Sequence, residues 1–204
     1  MIHYTIIVYK FHPLQKWRDF FMLKKRELQD VPQLYELMAH PEVFPYVRHK
    51  AYSVDECYFL TKQTIEQEEK GELISRTILD EYHHPIGTIN LFDIQNGTGF
   101  LATWIGAPYF GKGYNKHAKT AFMEELFFEQ NIQAIFIKIR NTNPRSLKAI
   151  LKLPYVTYGS VLYPEVFQKI NANAPVYELF VITKDQYLLH RDMTNNAAEG
   201  EAAV

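Results

Sequence analysis

The sequence predicts one α/β domain of the mixed α+β kind, in which a mostly antiparallel central sheet is flanked by helices. Three observations point to it. Two helical patterns precede three strand-like runs joined by short turn signals. A glycine loop, Gly111-Lys112-Gly113, then links a strand to a helix and a further strand, which makes a βαβ unit. No repeat or linker divides the 204 residues, and 47% hydrophobic with 22% charged residues suits a packed core and excludes a disordered tail protein.

Residues 1–20 mix aromatic and basic residues without a period. They are read as a loosely attached extension or an upstream start, with a short extra strand as the alternative. Residues 21–27 read as a strand. Asp30 then serves as an N-cap, with Pro32 in the first turn of a helix that carries Leu34, Leu37 and Met38 and stops near His40-Pro41. A second helix begins at Ser53 or Asp55, holds Cys57, Leu60, Thr64, Ile65 and Glu68 at helical spacing, and closes at Gly71. Cys57 is read as a core residue.

Strands are expected over 73–79, 85–93 and 98–105, with turn signals at Tyr82-His83-His84-Pro85 and Gln95-Asn96-Gly97. A helix over 116–129 presents Ala118, Ala121, Phe122 and Leu126 on one face, and a strand over 134–140 follows it. Asn143 before Pro144 is an N-cap with proline at the first helical position, for a helix running to about Leu153. The last strands are expected over 156–162 and 177–182. From Thr194 onward the chain is too poor in apolar residues to pack, so residues 191–204 are expected to be a disordered tail and 21–190 the folded domain.

Composition narrows the function. A net charge of −1 gives no global field toward nucleic acid or an anionic membrane, and no basic stripe suggests an RNA-associated factor. One cysteine excludes an intrachain disulfide and a multi-cysteine metal site, which suits a reducing, cytoplasmic setting. Apolar runs fall short of the roughly 20 residues that span a bilayer. His83-His84 lacks further spaced ligands and is read as a surface turn, so no metal is expected.

The chemistry concentrates in Trp104-Ile-Gly-Ala-Pro-Tyr-Phe-Gly-Lys-Gly-Tyr-Asn115, a strand that feeds a glycine loop opening a helix. Glycines let the backbone approach an anion, and a helix start presents unpaired N–H groups, so the segment suits a phosphate or pyrophosphate. Neither the Walker A pattern nor the dinucleotide fingerprint is present, which disfavours a nucleotide triphosphatase.

In its order of elements the chain resembles the GNAT (Gcn5-related) N-acetyltransferases over about residues 21–184, and in particular the branch that contains the ribosomal-protein alanine acetyltransferases. The matching pieces are Pro85-Ile86-Gly87 entering a strand, Trp104 before the loop, Tyr109-Phe-Gly-Lys-Gly-Tyr114, and Asn143-x-x-Ser146-x-x-Ala149 with Leu153 beyond. The family's loop reads Arg/Gln-x-x-Gly-x-Gly/Ala; Phe110 is taken to stand for its Arg or Gln and Asn115 for its last small position. Pro154-Tyr155 replaces the family's Gly-Phe.

The resemblance implies acetyl-CoA as acyl donor and direct attack of a primary amine on the thioester in a ternary complex. The strand carrying Thr103, Trp104, Ile105 and Gly106 would splay from its neighbour, pair with the pantetheine arm and offer backbone N–H to the developing oxyanion. Phe110, Gly111, Lys112, Gly113, Tyr114 and Asn115 would hold the pyrophosphate, Asn143 would face the pantetheine, and His117, Lys119 or Arg145 would approach a phosphate. Ser146 is the nominated proton donor to the departing thiolate, with Tyr155 and Tyr158 as alternatives; Glu165 is the candidate base.

The amine is a protein N-terminus or a small molecule such as an amino sugar, polyamine or amino acid. Glu66, Glu68, Glu69 and Glu72 would lend acidity to a peptide groove. The other reading is an idle acyl-CoA-binding or interaction module that keeps the fold. Neither monomer nor homodimer is favoured.

Overall fold

The computed structural model describes residues 22–201, with side chains described as far as Met193. The extension expected over residues 1–20 lies outside the described residues. Seven strands form one sheet: β1 (Leu23–Lys25), β2 (Ile74–Leu79), β3 (Pro85–Gln95), β4 (Thr98–Ile105), β5 (Ala134–Arg140), β6 (Thr157–Tyr158) and β7 (Tyr177–Thr183). Their spatial order is β1-β2-β3-β4-β5-β7-β6. Every neighbouring pair is antiparallel except β4 with β5.

The meander forms where the turn chemistry put it. Asn96 and Gly97 both have positive φ, 50° and 71°, which joins β3 to β4 through a primed two-residue turn. Gly87 permits the close approach of these strands, because a Cβ there would lie 2.2 Å from the Trp104 carbonyl oxygen.

On one face of the sheet lie α1 (Val31–Met38) and α2 (Val54–Glu69). They bury Val31, Met38 and Cys57 with Val43, Val47 and Ala51. Ser53 caps α2 by accepting the Glu56 N–H at 3.1 Å, and Gly71, at φ 74°, ends it. Asp30 does not cap α1. Its carboxylate is buried, receives Lys24 Nζ at 2.9 Å and accepts from Thr77 Oγ1 at 3.3 Å, so the sheet edge holds the group that a free helix start would have used.

The opposite face carries α3 (Tyr114–Glu124), α4 (Pro144–Ile150) and α7 (Lys184–Glu201) over the main core, in which Phe122, Met123, Leu126 and Phe127 meet Ile135, Phe180 and Ile182. The helix expected over 116–129 starts earlier, at Tyr114, and its last turn, Glu125–Glu129, is a π turn.

Two further expectations are corrected. Only Thr157–Tyr158 of the run 156–162 pairs in the sheet; residues 159–162 turn into a short helix, α5 (Gly159–Leu162), followed by α6 (Pro164–Ile170). Gly159 lies flush on Leu179, where a Cβ would approach Cγ to 2.6 Å, and Val161 and Leu162 are exposed, so the apolar run leaves the sheet instead of lining it. Secondly, α7 continues helical to Glu201, through the stretch from Thr194 expected as a tail. The chain there is poor in core residues and mixes Ala and Glu with weak helix formers, and it prolongs a helix already nucleated by the exchange between Thr183 and Gln186.

Candidate functional site

The site begins where the sheet divides. β4 and β5 pair in parallel over three residues only, Thr98–Ala134, Gly99–Ile135 and Phe100–Phe136. Beyond them β4 stays bonded to β3 and β5 to β7, so residues 101–105 present an edge that no strand of the sheet covers. Strand alternation decides which amides face that gap. The Gly106 N–H donates to the Ile86 carbonyl at 2.8 Å, and in an antiparallel ladder every second residue faces the same partner. Trp104 and Ala102 therefore direct their N–H groups to β3, whereas Ile105 and Thr103 direct theirs into the gap. This sorts the expected strand residues: Ile105 keeps a free amide at the split, and the amide of Gly106 is occupied. The Thr103 hydroxyl, on the same segment, is buried without a hydrogen-bond partner among the described residues.

The chain then enters a 3-10 turn at Ala107–Tyr109 and the glycine loop. Gly111 and Gly113 have φ of 74° and 89°, angles that glycine adopts without steric cost. Gly113 is the N-cap of α3, and its carbonyl accepts from Lys116 at 3.0 Å and His117 at 3.2 Å. The amides of Gly111, Lys112, Gly113, Tyr114 and Asn115 donate to no acceptor among the described residues. A Cβ at Gly111 would meet nothing within 4 Å. Five consecutive free donors in an open loop at a helix start fit an anion such as the pyrophosphate of CoA.

Side chains brace this loop. The Tyr114 hydroxyl donates to the Glu81 carboxylate, which holds its pKa up at about 12, and its ring stands edge-on to Tyr109 at 5.7 Å. Lys112 Nζ lies 5.6 Å from the Tyr109 ring centroid. Arg145, in the first turn of α4, stacks over Phe110 at 3.9 Å. The loop pattern also needs a corrected register: counted from Gly111 and Gly113, the Arg/Gln position is Pro108 and the last small position is Gly113 itself. Phe110 and Asn115 are thus not the departures from the pattern; Pro108 is.

Asn143 caps α4 by accepting the Ser146 N–H at 3.1 Å. Ser146 is half-buried in the same turn as Arg145, which stacks over the loop residue Phe110. The other acid and base candidates lie apart. Tyr155 belongs to the core, its ring 5.2 Å from Tyr187 and 5.3 Å from His190, and burial raises its pKa, which makes it a poorer proton donor. Tyr158 is exposed and rests on Phe180. Glu165 is exposed in the first turn of α6, over the half of the sheet formed by β5 and β7.

The acidic run at the end of α2 is engaged elsewhere or exposed. Glu68, with Glu125, forms an ion pair with buried Arg76, and Glu66, Glu69 and Glu72 are exposed at the helix end. Among the charged groups after the loop, His117 is exposed beside Gly113 and Lys119 is half-buried, its pKa lowered by burial to about 8. One residue that sequence reasoning passed over is Arg26, whose guanidinium lies under α2 and donates to Thr61 Oγ1 at 3.1 Å. A lone arginine after a short strand carries no motif, so only the fold reveals it.

A family model for the acetyltransferase (GNAT) domain matches residues 21–155. No curated protein matches the sequence. Among solved structures the chain is similar to FdhC, a nucleotide-linked sugar GNAT, with 15% identity and a TM-score of 0.67 over 85% of this chain and 92% of that one. It is also similar to a chimera of the spermidine N-acetyltransferase SpeG from Vibrio cholerae and hSSAT, with 17% identity and a TM-score of 0.64 over 81% and 96%. A third is the ribosomal-protein-S5-alanine acetyltransferase from Vibrio fischeri, with 15% identity and a TM-score of 0.63 over 80% and 92%. No described helix is long and apolar enough to cross a membrane. A sheet that divides beside a glycine loop, on a chain matched by that family model over most of its length, is the signature of an acetyl-CoA-dependent enzyme: the chain belongs to the GNAT acetyltransferase family.

Proposed function

We propose that the split in the sheet and the glycine loop form one site, in which a primary amine attacks the acetyl thioester of acetyl-CoA directly while both substrates are bound. One observation carries this: the uncovered edge of β4 leads, through a single 3-10 turn, into five consecutive free amides at the start of α3. When bound, acetyl-CoA supplies the activated acyl group and a thiolate leaving group.

The chain's own residues supply the rest. The amides of residues 111–115 hold the pyrophosphate with the positive end of α3. The Ile105 N–H, directed into the split, stabilises negative charge that develops on the acyl oxygen. Thr103 offers its unpartnered hydroxyl and amide to the pantetheine arm. Asn143 fixes the first turn of α4 and with it Ser146, which delivers a proton to the departing sulfur. The amine proton goes to water, since Glu165 lies apart over β5 and β7. The free amides of the loop give no support to an idle module.

The test is a calorimetric and thermal-shift titration with acetyl-CoA, CoA and ATP, followed by free-thiol release with a panel of amines. Stabilisation shared by acetyl-CoA and CoA but not by ATP, with thiol release on addition of an amine, is the expected result. Absence of binding at concentrations well above ordinary cofactor affinities would overturn it.

A further inference from the structure

A cavity of about 80 Å³ lies between α1, α2 and the face of β3 and β4. It opens beside a wider one of about 320 Å³, with His49, Leu60 and Thr64 in both walls. The inner cavity adjoins the proposed reaction strand, since Thr103 and Trp104 of β4 belong to its wall. Neither cavity has an Asp or Glu in its lining.

Its cations are unequal. Arg48 is paired with Asp93 at 2.8 Å and stacks on Phe92 at 4.3 Å, so its charge is answered. Arg26 is different. Among the described residues it makes no ion pair, its one hydrogen bond goes to the neutral Thr61 hydroxyl, and its Nε is buried without a partner. Buried Arg76, by contrast, is clamped by two glutamates. Nor does Cys57 in the same wall supply an anion, because burial holds its thiol protonated. Asp30 and Glu68 act on Arg26 only from beyond ion-pair distance, and a guanidinium so desolvated by burial is costly unless something negative occupies the space beside it. Thr61, Thr88 and Asn90 add neutral hydrogen-bonding groups around it.

We infer that this cavity is the acceptor subsite and that Arg26 binds an oxyanion, carboxylate or phosphate, carried by the amine substrate. This rests on the acetyltransferase reading and narrows it: the acceptor is an anionic amine, such as an amino acid or a phosphorylated amino sugar, and not a polyamine. Lys50, Gln63 and Gln67 in the wider cavity suit the polar remainder of such a molecule. A polycation would meet Arg26 with no carboxylate to hold it.

The experiment compares the full chain with Arg26→Met and Arg26→Lys. Thiol release is measured at saturating acetyl-CoA with three acceptors: glucosamine 6-phosphate with glucosamine as its uncharged-substituent match, glutamate with its diamide, and spermidine. The expected result is that at least one anionic acceptor exceeds its match and spermidine in kcat/KM by tenfold or more. Arg26→Met should then raise KM for that acceptor at least tenfold with kcat and acetyl-CoA affinity little changed, and Arg26→Lys should recover part of the loss. The phosphate and carboxylate arms separate the two oxyanion sources.

Spermidine as the best acceptor, or an Arg26→Met effect equal on matched charged and uncharged amines, would overturn the inference. Should Arg26→Met not fold, the comparison of acceptors on the unmodified chain decides by itself. Calorimetry of the same amines without acetyl-CoA reads the cavity independently: if acetyl-CoA fails to bind, the loop assignment falls while the preference for an anionic amine is still measured.

Discussion

The Arg145 guanidinium lies 3.9 Å above the Phe110 ring and so ties the first turn of α4 to the residue just before the glycine loop. Two segments separated by α3 and β5 are held at a fixed spacing by one stacked pair. An exposed cation–π pair contributes about 0.5–1 kcal/mol. Arg145→Ala and Phe110→Ala should each weaken acetyl-CoA binding several-fold, and the double variant should lose less than the sum. Calorimetry across the four proteins checks it, and strict additivity would show that the pair does not position the loop.

Gly113→Val places a β-branched side chain at φ 89°, with only the His117 ring as a neighbour at 3.7 Å. The cost comes from the backbone angle and not from crowding within the protein. Forcing the residue toward negative φ re-aims the amides that follow. Acetyl-CoA affinity should fall at least tenfold, while thermal unfolding of the ligand-free chain shifts by no more than about 1–2 kcal/mol. Unchanged affinity would remove the loop from the site.

Ser146→Ala should lower kcat at least tenfold with little change in acetyl-CoA affinity, because the Asn143 cap uses the Ser146 amide and leaves the hydroxyl free. Tyr155→Phe is the contrasting variant. Its ring packs on Tyr187 and His190, so the loss of the hydroxyl should change stability slightly and turnover not at all. A reversal of the two kinetic results would exchange their roles.

Lys119 gives a pH test. Burial lowers its folded pKa from 10.5 to about 8, so between these values the unfolded chain holds a proton that the folded one has released. Stability contributed by this group therefore rises with pH across about 8 to 10.5, and the cost of the buried charge is fully present below 8. Lys119→Met should raise Tm at pH 7, with the advantage shrinking toward pH 10. Thermal denaturation at several pH values measures this, and a pH-independent difference would show that the ammonium carries no such cost.

Gly87→Ala should destabilise by about 3 kcal/mol, or prevent folding, because the new Cβ meets backbone, the Trp104 carbonyl oxygen and Ile105 Cα, neither of which can rotate away. Chemical denaturation of this variant measures the cost, and a loss of less than about 1 kcal/mol would show that the strands can part to admit the methyl group.

Much of this fold could be read in the sequence, because local chemistry and tertiary role agree there. Ser53, Gly71, Asn96-Gly97 and Asn143-Pro144 act as cap, stop, turn and cap in the structure as their residue types predict. Asp30 misled because its best partners, Lys24 and Thr77, come from the sheet and leave no trace in local spacing. The run 156–162 misled because apolar content was taken for burial, whereas Val161 is 78% exposed. Within the site, the loop and the cap of α4 were legible as motifs. Which of the strand's amides face the split depends on the ladder's alternation, and Arg26 acquires meaning only because no carboxylate shares its cavity wall; both are properties of pairing and packing.

The seam of three residue pairs between β4 and β5 has a mechanical meaning. It makes the sheet two plates, β1 to β4 and β5 to β7, joined along a short weld at one end and open at the other. On the proposed site, a pantetheine arm laid in the opening would be a wedge that is also a rung, bonded to the exposed edge while it keeps the plates apart. The ligand-free enzyme should accordingly exchange amide hydrogens fastest along the uncovered residues of β4, and acetyl-CoA should slow that exchange in the strand it bonds and in α4 across the gap. On the proposed site, the cofactor would work as a missing strand of the protein that uses it and complete the sheet once in every catalytic cycle.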